Sequence, residues 1–173
     1  MSKVKILILD MDGTVRIKKG VTVGESSFIQ FPEDQEIIPG ARKAIAHYHA
    51  EGWVIVGASN QGGVASKKKS PEDCFKEQKF TLSLVPEMEA IAFCPDYEGL
   101  KLGVVSQGGQ RLLQLKNYPS FRKPGHGMIE WLRLAYAPYS RYGDILFVGD
   151  RPEDEQAAKN ADVPFLWAKD WWL

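Results

Sequence analysis

The chain has little of what marks several functional classes. Cys74 and Cys94 are its only cysteines in 173 residues and are not closely spaced. That excludes a disulfide scaffold and makes a reducing cytoplasm the expected location. No sign of charge is in excess: 22 lysines and arginines balance 22 aspartates and glutamates. No global field therefore draws the molecule to nucleic acid or to an anionic membrane. No apolar run is long enough to span a bilayer, and Lys3 and Lys5 lead into a strand rather than a secretory segment. Internal repeats, low-complexity tracts and a composition shift marking a second domain are also missing. Residues 1–173 are thus expected to form one domain, large enough to bury a real core.

What is present is an alternation of strand and helix signals. Val4, Ile6, Leu7, Ile8 and Leu9 are branched apolar residues, which read as a strand buried on both faces of a parallel sheet. Pro39-Gly40 opens a helix over Ala41–Ala50, closed by Gly52. Trp53–Ala58 is a second buried strand. Ser70, Pro71, Glu72 and Asp73 are a strong helix start, with the helix running to Leu84. Ala90–Phe93, Ile145–Val148 and Pro164–Trp167 read as further strands, and Met128–Tyr136 and Glu153–Asn160 as helices. The pattern predicts a three-layer α/β fold with a mostly parallel sheet. Residues 16–39 read as a polar flap. Residues 94–121 are the least regular part, with a hairpin signal around Ser106–Gly109, and are expected to supply a second flap.

The buried strands end in small or acidic residues. Asp10 and Asp12 close the first, Ser59 and Asn60 the second, and Asp150 with Asp154 follows a later one. Parallel strands bring such ends to one edge of the sheet, where ligands of open α/β sheets bind. Lys123, just before Pro124, adds a cation. Carboxylates, a hydroxyl, an amide and a lysine at one edge suit a phosphate and a divalent metal. Each residue also has a plainer reading: Asp-Gly is a common turn, Ser-Asn caps helices, Asp154 suits a helix start, and lysines favour solvated loops. His47 and His49 lie two apart on a helix and make a poor metal pair. His126 and the Lys67–Lys69 run read as solvated loop residues, and Trp171 and Trp172 as core cover.

Four segments, DMDGT at 10–14, ASNQGG at 58–63, FRKPGHGM at 121–128 and FVGDRPEDEQAA at 147–158, resemble in order the four motifs of the haloacid dehalogenase superfamily. The SNQ and RKP forms are most similar to its subclass III, which includes heptose bisphosphate, histidinol and polynucleotide 3′-phosphatases. The resemblance implies a Rossmann-like fold and a Mg²⁺-dependent phosphomonoesterase. It makes Asp10 the nucleophile that becomes an aspartyl phosphate, and Asp12 the general acid/base. Ser59, Asn60 and Lys123 would hold the phosphate. Asp150, Asp10 and the backbone carbonyl of Asp12 would bind the metal, with Asp154 in support.

The cysteine/histidine cluster that holds structural zinc in the heptose and histidinol enzymes is echoed only at its start, by Cys94-Pro95-Asp96-Tyr97-Glu98-Gly99. A thiolate-rich site cannot be built from the rest, so no zinc is expected. The spacing between motifs leaves no room for a large cap domain. Charge balance favours a small phosphorylated metabolite as substrate, with Arg122 available to grip a second anion. The open site, the RKP segment and Lys67–Lys69 support a nucleic-acid end as the alternative. A phosphotransferase and a non-catalytic phospho-ligand module are further alternatives.

Overall fold

A computed structural model describes residues 3–25 and 27–173. Its centre is a seven-stranded sheet in the order β7-β6-β5-β4-β1-β8-β9. The strands are β1 (Ile6–Leu9), β4 (Val54–Asn60), β5 (Met88–Cys94), β6 (Lys101–Ser106), β7 (Gly109–Gln114), β8 (Ile145–Gly149) and β9 (Phe165–Trp167). Strands β5, β4, β1, β8 and β9 pair in parallel, and β6 and β7 add an antiparallel hairpin at one edge.

The middle strand shows why the sheet is buried on both faces. Successive side chains of a strand point to opposite sides. Leu7 and Leu9 pack on one face with α1 (Pro39–Ala50), α3 (Pro71–Leu84) and α6 (Ala168–Trp171). Ile6 and Ile8 pack on the other with α4 (Gly127–Tyr136) and α5 (Pro152–Asn160). The three-layer α/β architecture expected from the sequence is the one observed. Helix α3 begins as its residues predict: the Ser70 side chain accepts the Asp73 N–H at 3.1 Å, and Pro71 fills the first turn.

From β1 the chain builds outward through β4 and β5, then returns to place β8 on the other side of β1. That reversal opens a crevice at the carboxyl ends of β1 and β8. The sequence reading differs from the structure at several elements. Residues 16–39 contain a two-stranded antiparallel ribbon, β2 (Arg16–Lys18) with β3 (Gln35–Ile37). The hairpin signal at Ser106–Gly109 is borne out: β6 and β7 pair about Gln107-Gly108, so that much of residues 94–121 lies in the sheet rather than in a flap. The single-turn helices α2 (Gly62–Ala65) and α6 were not anticipated, because four residues carry no periodicity. Among the described residues, no helix is long and apolar enough to cross a membrane.

Leu7 is fully buried between β4 and β8. Leu7→Ala is expected to cost about 2–5 kcal/mol of stability. A lower midpoint of urea unfolding at unchanged slope checks this.

Candidate active site

Asp10 stands at the carboxyl end of β1, and its N–H donates to the Val148 carbonyl at 2.9 Å, tying that end to β8. The chain then turns tightly: the N–H groups of Thr14, Val15 and Arg16 all return to the Met11 carbonyl. Gly13 sits at φ +84°, and a side chain there would run into the Asp150 carboxylate. Only glycine meets both demands.

Lys123 lies at the centre of the buried charges. Its Nζ donates to Asp154 Oδ1 at 2.6 Å, Asp10 Oδ1 at 2.7 Å and the Ala58 carbonyl at 2.9 Å. The residues are 2–7% exposed: Asp154 2%, Lys123 4% and Asp10 7%. The second oxygen of Asp154 accepts the N–H groups of Asp150 and Arg151, each at 3.1 Å. Asp154 therefore fastens the turn between β8 and α5 to Lys123. Thr14 Oγ1 donates to Asp10 Oδ2 at 3.1 Å and lies 3.4 Å from Asp150 Oδ1.

Asp10, Asp150 and Asp154 each offer an oxygen within 4.8 Å of the others. Three carboxylates against one ammonium leave two negative charges uncompensated. Burial, helped by neighbouring Asp150 and opposed by Lys123, pushes the Asp10 carboxyl up to about 7. Burial likewise raises Asp154 against the pull of Lys123. For Lys123, burial disfavours the charge, but Asp10 and Asp154 outweigh it and keep the ammonium protonated well above its usual range. A group of oxygen donors carrying two surplus negative charges fits a hard divalent cation. Asp154 is already committed to Lys123 and two amides, which leaves Asp10 and Asp150 as the open donors.

Asp12 has a different setting. Its side chain is 43% exposed and faces a cavity of about 440 Å³. Burial tends to raise its carboxyl, but Arg16, Lys69 and the Gln61 amide hold it below the usual carboxylate range. Ser59 lines the same cavity, its Oγ accepting from Gln61 Nε2 at 2.8 Å. The Asn60 amide, at the cavity wall, is bonded to the backbone of Lys123. Its Nδ2 donates to the Lys123 carbonyl and its Oδ1 accepts the Lys123 N–H, both at 2.9 Å. Asn60 thus clamps the backbone that carries the lysine. Arg122 lines the cavity with its guanidinium 5.1 Å from the centre of the Tyr97 ring. Asp150 faces a second cavity of about 200 Å³ that shares Asp12, Ser27 and Arg151 with the first.

Several contributors were not singled out by sequence reasoning. Arg16, placed in a polar flap, is wholly buried and bonds Asp12. Gln61 donates to Asp12 Oδ2 at 3.0 Å. Lys69 turns inward, away from Lys67 and Lys68, and lines the cavity. Trp172 does more than cover the core: its indole N–H donates to the Thr14 carbonyl at 2.8 Å. One signal was readable. Positions 74, 77, 78, 81 and 82 form an inward stripe on α3, and three of them are polar: Glu77, Gln78 and Thr81. His47 and His49 are exposed on α1, and neither they nor His126 line the cavity.

Comparison with known proteins identifies the family. The family model described as polynucleotide kinase 3 phosphatase matches residues 5–168. The chain belongs to that family. It is a haloacid dehalogenase phosphatase of subclass III, as the motifs implied. It is 26% identical over 168 residues to the D-glycero-alpha-D-manno-heptose-1,7-bisphosphate 7-phosphatase of Campylobacter jejuni, covering 95% of this chain and 81% of the relative. It is 29% identical over 172 residues to the corresponding beta-heptose enzyme of Haemophilus ducreyi, covering 92% and 79%. Among solved structures, a HAD-like phosphatase from Mesorhizobium loti superposes with a TM-score of 0.71 at 24% identity, covering 94% of this phosphatase and 71% of that chain. The heptose 1,7-bisphosphate phosphatase of B. bronchiseptica, solved with magnesium and phosphate, gives 0.66 at 23%, covering 93% and 78%.

The buried Asp10 has a consequence for stability. In metal-free protein the folded state holds its proton up to about pH 7, whereas the unfolded chain releases it near 3.8. The folded state binds more protons across that window, so this group's contribution is complete below it and lost as pH rises through it. Asp10→Asn in EDTA is therefore expected to melt at a higher temperature than the unaltered protein near pH 8. That advantage disappears near pH 4, and thermal denaturation at both pH values checks it.

Proposed function

We propose that this phosphatase hydrolyses the phosphate monoester of a small phosphorylated sugar through an aspartyl phosphate on Asp10, with Mg²⁺ as its metal. The observation that carries the reading is the buried Lys123 held between Asp10 and Asp154, beside Asp150. A phosphate dianion repels an attacking carboxylate, so cancelling charge comes first. Asp10 and Asp150, with the Asp12 carbonyl that the family resemblance implies, would hold the metal. When bound, the metal supplies positive charge at the phosphoryl oxygens and favours the ionised form of Asp10.

The chain's own residues then divide the reaction in two. An oxygen of Asp10 attacks phosphorus, the bond from phosphorus to the leaving oxygen breaks, and that oxygen takes a proton from Asp12. Water next attacks the same phosphorus and gives a proton to Asp12, the Asp10–phosphorus linkage breaks, and phosphate departs. Arg16 favours an ionised Asp12, which matches the water step. A bound phosphate dianion acts in the opposite sense and favours the proton uptake that the first step needs. Lys123 and Ser59 would hold phosphoryl oxygens, with Asn60 fixing Lys123 in place.

A small sugar substrate is supported by the named activity of the heptose bisphosphate relatives and by a cavity of metabolite size. Lys69, Arg122 and Arg151 line that cavity and suit a second anion on the leaving group. A 3′-phosphorylated nucleic-acid end is the second reading. The family description favours it, as does the lack of a large cap over the site among the described residues.

Phosphate release from sugar phosphates, nucleotides and 3′-phosphorylated oligonucleotides is the test. A sugar phosphate is expected to be hydrolysed with Mg²⁺, not in EDTA, and not by Asp10→Asn. Failure on every substrate and metal would remove the reading. Salt separates the two substrate classes. Affinity for an oligonucleotide end gripped by several phosphate contacts falls by orders of magnitude between about 50 and 200 mM salt. A sugar phosphate changes far less.

A further inference from the structure

Asp12 belongs to a closed ring of five side chains that leads away from the cavity. Arg16 Nε donates to Asp12 Oδ1 at 3.0 Å, and its Nη2 reaches Asp12 Oδ2 at 3.4 Å and Glu77 Oε2 at 3.1 Å. Lys69 Nζ donates to Glu77 Oε1 at 2.7 Å and to Gln61 Oε1 at 3.2 Å. Gln61 Nε2 returns to Asp12 Oδ2 at 3.0 Å. The remaining Arg16 nitrogen, Nη1, donates to Thr81 Oγ1 at 2.6 Å, and Thr81 donates in turn to Gln35 Oε1 at 2.6 Å.

Two acids and two bases balance in this ring, so it closes without net charge. Arg16 is wholly buried, the Glu77 and Lys69 side chains are 3% and 5% exposed, and Asp12 alone opens widely to the cavity. Buried ion pairs are weak stabilisers, because desolvation offsets most of their attraction. Apolar residues on the inward stripe of α3 would serve stability at least as well. The gain lies elsewhere. Both oxygens of Asp12 already accept bonds from fixed donors, so the carboxylate cannot swing toward Lys123 or Asp10.

We infer that Arg16, Glu77 and Lys69 are positioning residues for proton transfer by Asp12, anchoring its carboxylate at the cavity wall through α3. This rests on the acid/base reading of Asp12. Two proton movements depend on that anchor. Asp12 gives a proton to the leaving oxygen as its bond to phosphorus breaks. It later takes one from water as the Asp10–phosphorus linkage breaks.

The leaving group separates positioning from folding. Nitrophenolate departs from p-nitrophenyl phosphate without a proton, so forming the phospho-enzyme from it does not need Asp12. Hydrolysing that phospho-enzyme does. Glu77→Gln, which keeps volume and an acceptor, and Arg16→Lys are each mixed rapidly with p-nitrophenyl phosphate and Mg²⁺. Both are expected to release a burst of about one nitrophenolate per site at close to the unaltered rate. Steady turnover then falls by about 10–10²-fold and KM falls with it, so that kcat/KM stays close to the unaltered value. Turnover of glycerol phosphate, an alkyl ester, falls by a similar factor without a burst. Asp12→Asn sets the limiting case of the same pattern.

Unaltered turnover of both substrates by both variants overturns the inference. So does an equal loss of burst rate and steady rate, which marks a folding or binding defect. If Arg16→Lys does not fold, Glu77→Gln decides alone. If Asp12→Asn itself turns over normally, the acid/base reading fails, and the inference falls with it for that separate reason.

Discussion

The structure depends on a single ammonium group in a dry place. Lys123 Nζ joins three segments far apart in sequence: the end of β1 through Asp10, the end of β4 through the Ala58 carbonyl, and the start of α5 through Asp154. Each contact is charge-assisted or buried, and replacing Lys123 by an apolar residue would leave the Asp10 and Asp154 carboxylates unpaired in the interior. Asn60 holds the lysine's backbone from the opposite side. The site is therefore a junction where the sheet's strand ends are fastened together, and the fastening groups include those proposed to meet phosphate. Catalytic geometry and local stability cannot be varied independently there.

The fold and the inner site were legible because both leave short-range marks. A strand buried on two faces needs an unbroken apolar run, and Ile6–Leu9 supplies one. The chemistry needs acids where that run stops, so Asp10 and Asp12 stand next to it. Segments such as RKP place a lysine in a recognisable frame. The supporting charges leave no comparable mark. Glu77 sits in a helix rich in charged residues, Lys69 at the end of a lysine run, and Arg16 in a polar stretch. Each resembles a solvated residue until the fold brings the three together. Only the inward stripe of α3 gave a hint, since Glu77, Gln78 and Thr81 occupy positions where an ordinary helix would be apolar.

Asn60 illustrates a different limit. Its place at a strand end marks it as part of the site. Residue type alone cannot say whether an amide faces ligand or protein. An amide both donates and accepts, and the backbone of Lys123 offers one acceptor and one donor in matching geometry. The β6–β7 hairpin shows the same limit in part: its turn at Ser106–Gly109 was readable, but the extent of its strands was not. Strand β7 is mostly exposed and polar, so its residues look like loop, and its strand character comes from pairing with β6.

The two acids of the opening motif are separated by one residue and by opposite environments. Asp10 is buried among charges that a metal would balance. Asp12 is half-exposed at the cavity wall, where a leaving alkoxide and then a water molecule can reach it. A strand ending explains this division. Alternation sends Asp10 and Asp12 toward the same side of the sheet, but the tight turn at Gly13 lifts the second acid clear of the strand end. The proposed roles call for a desolvated nucleophile and a proton carrier in contact with solvent. One turn of backbone supplies both conditions within three residues.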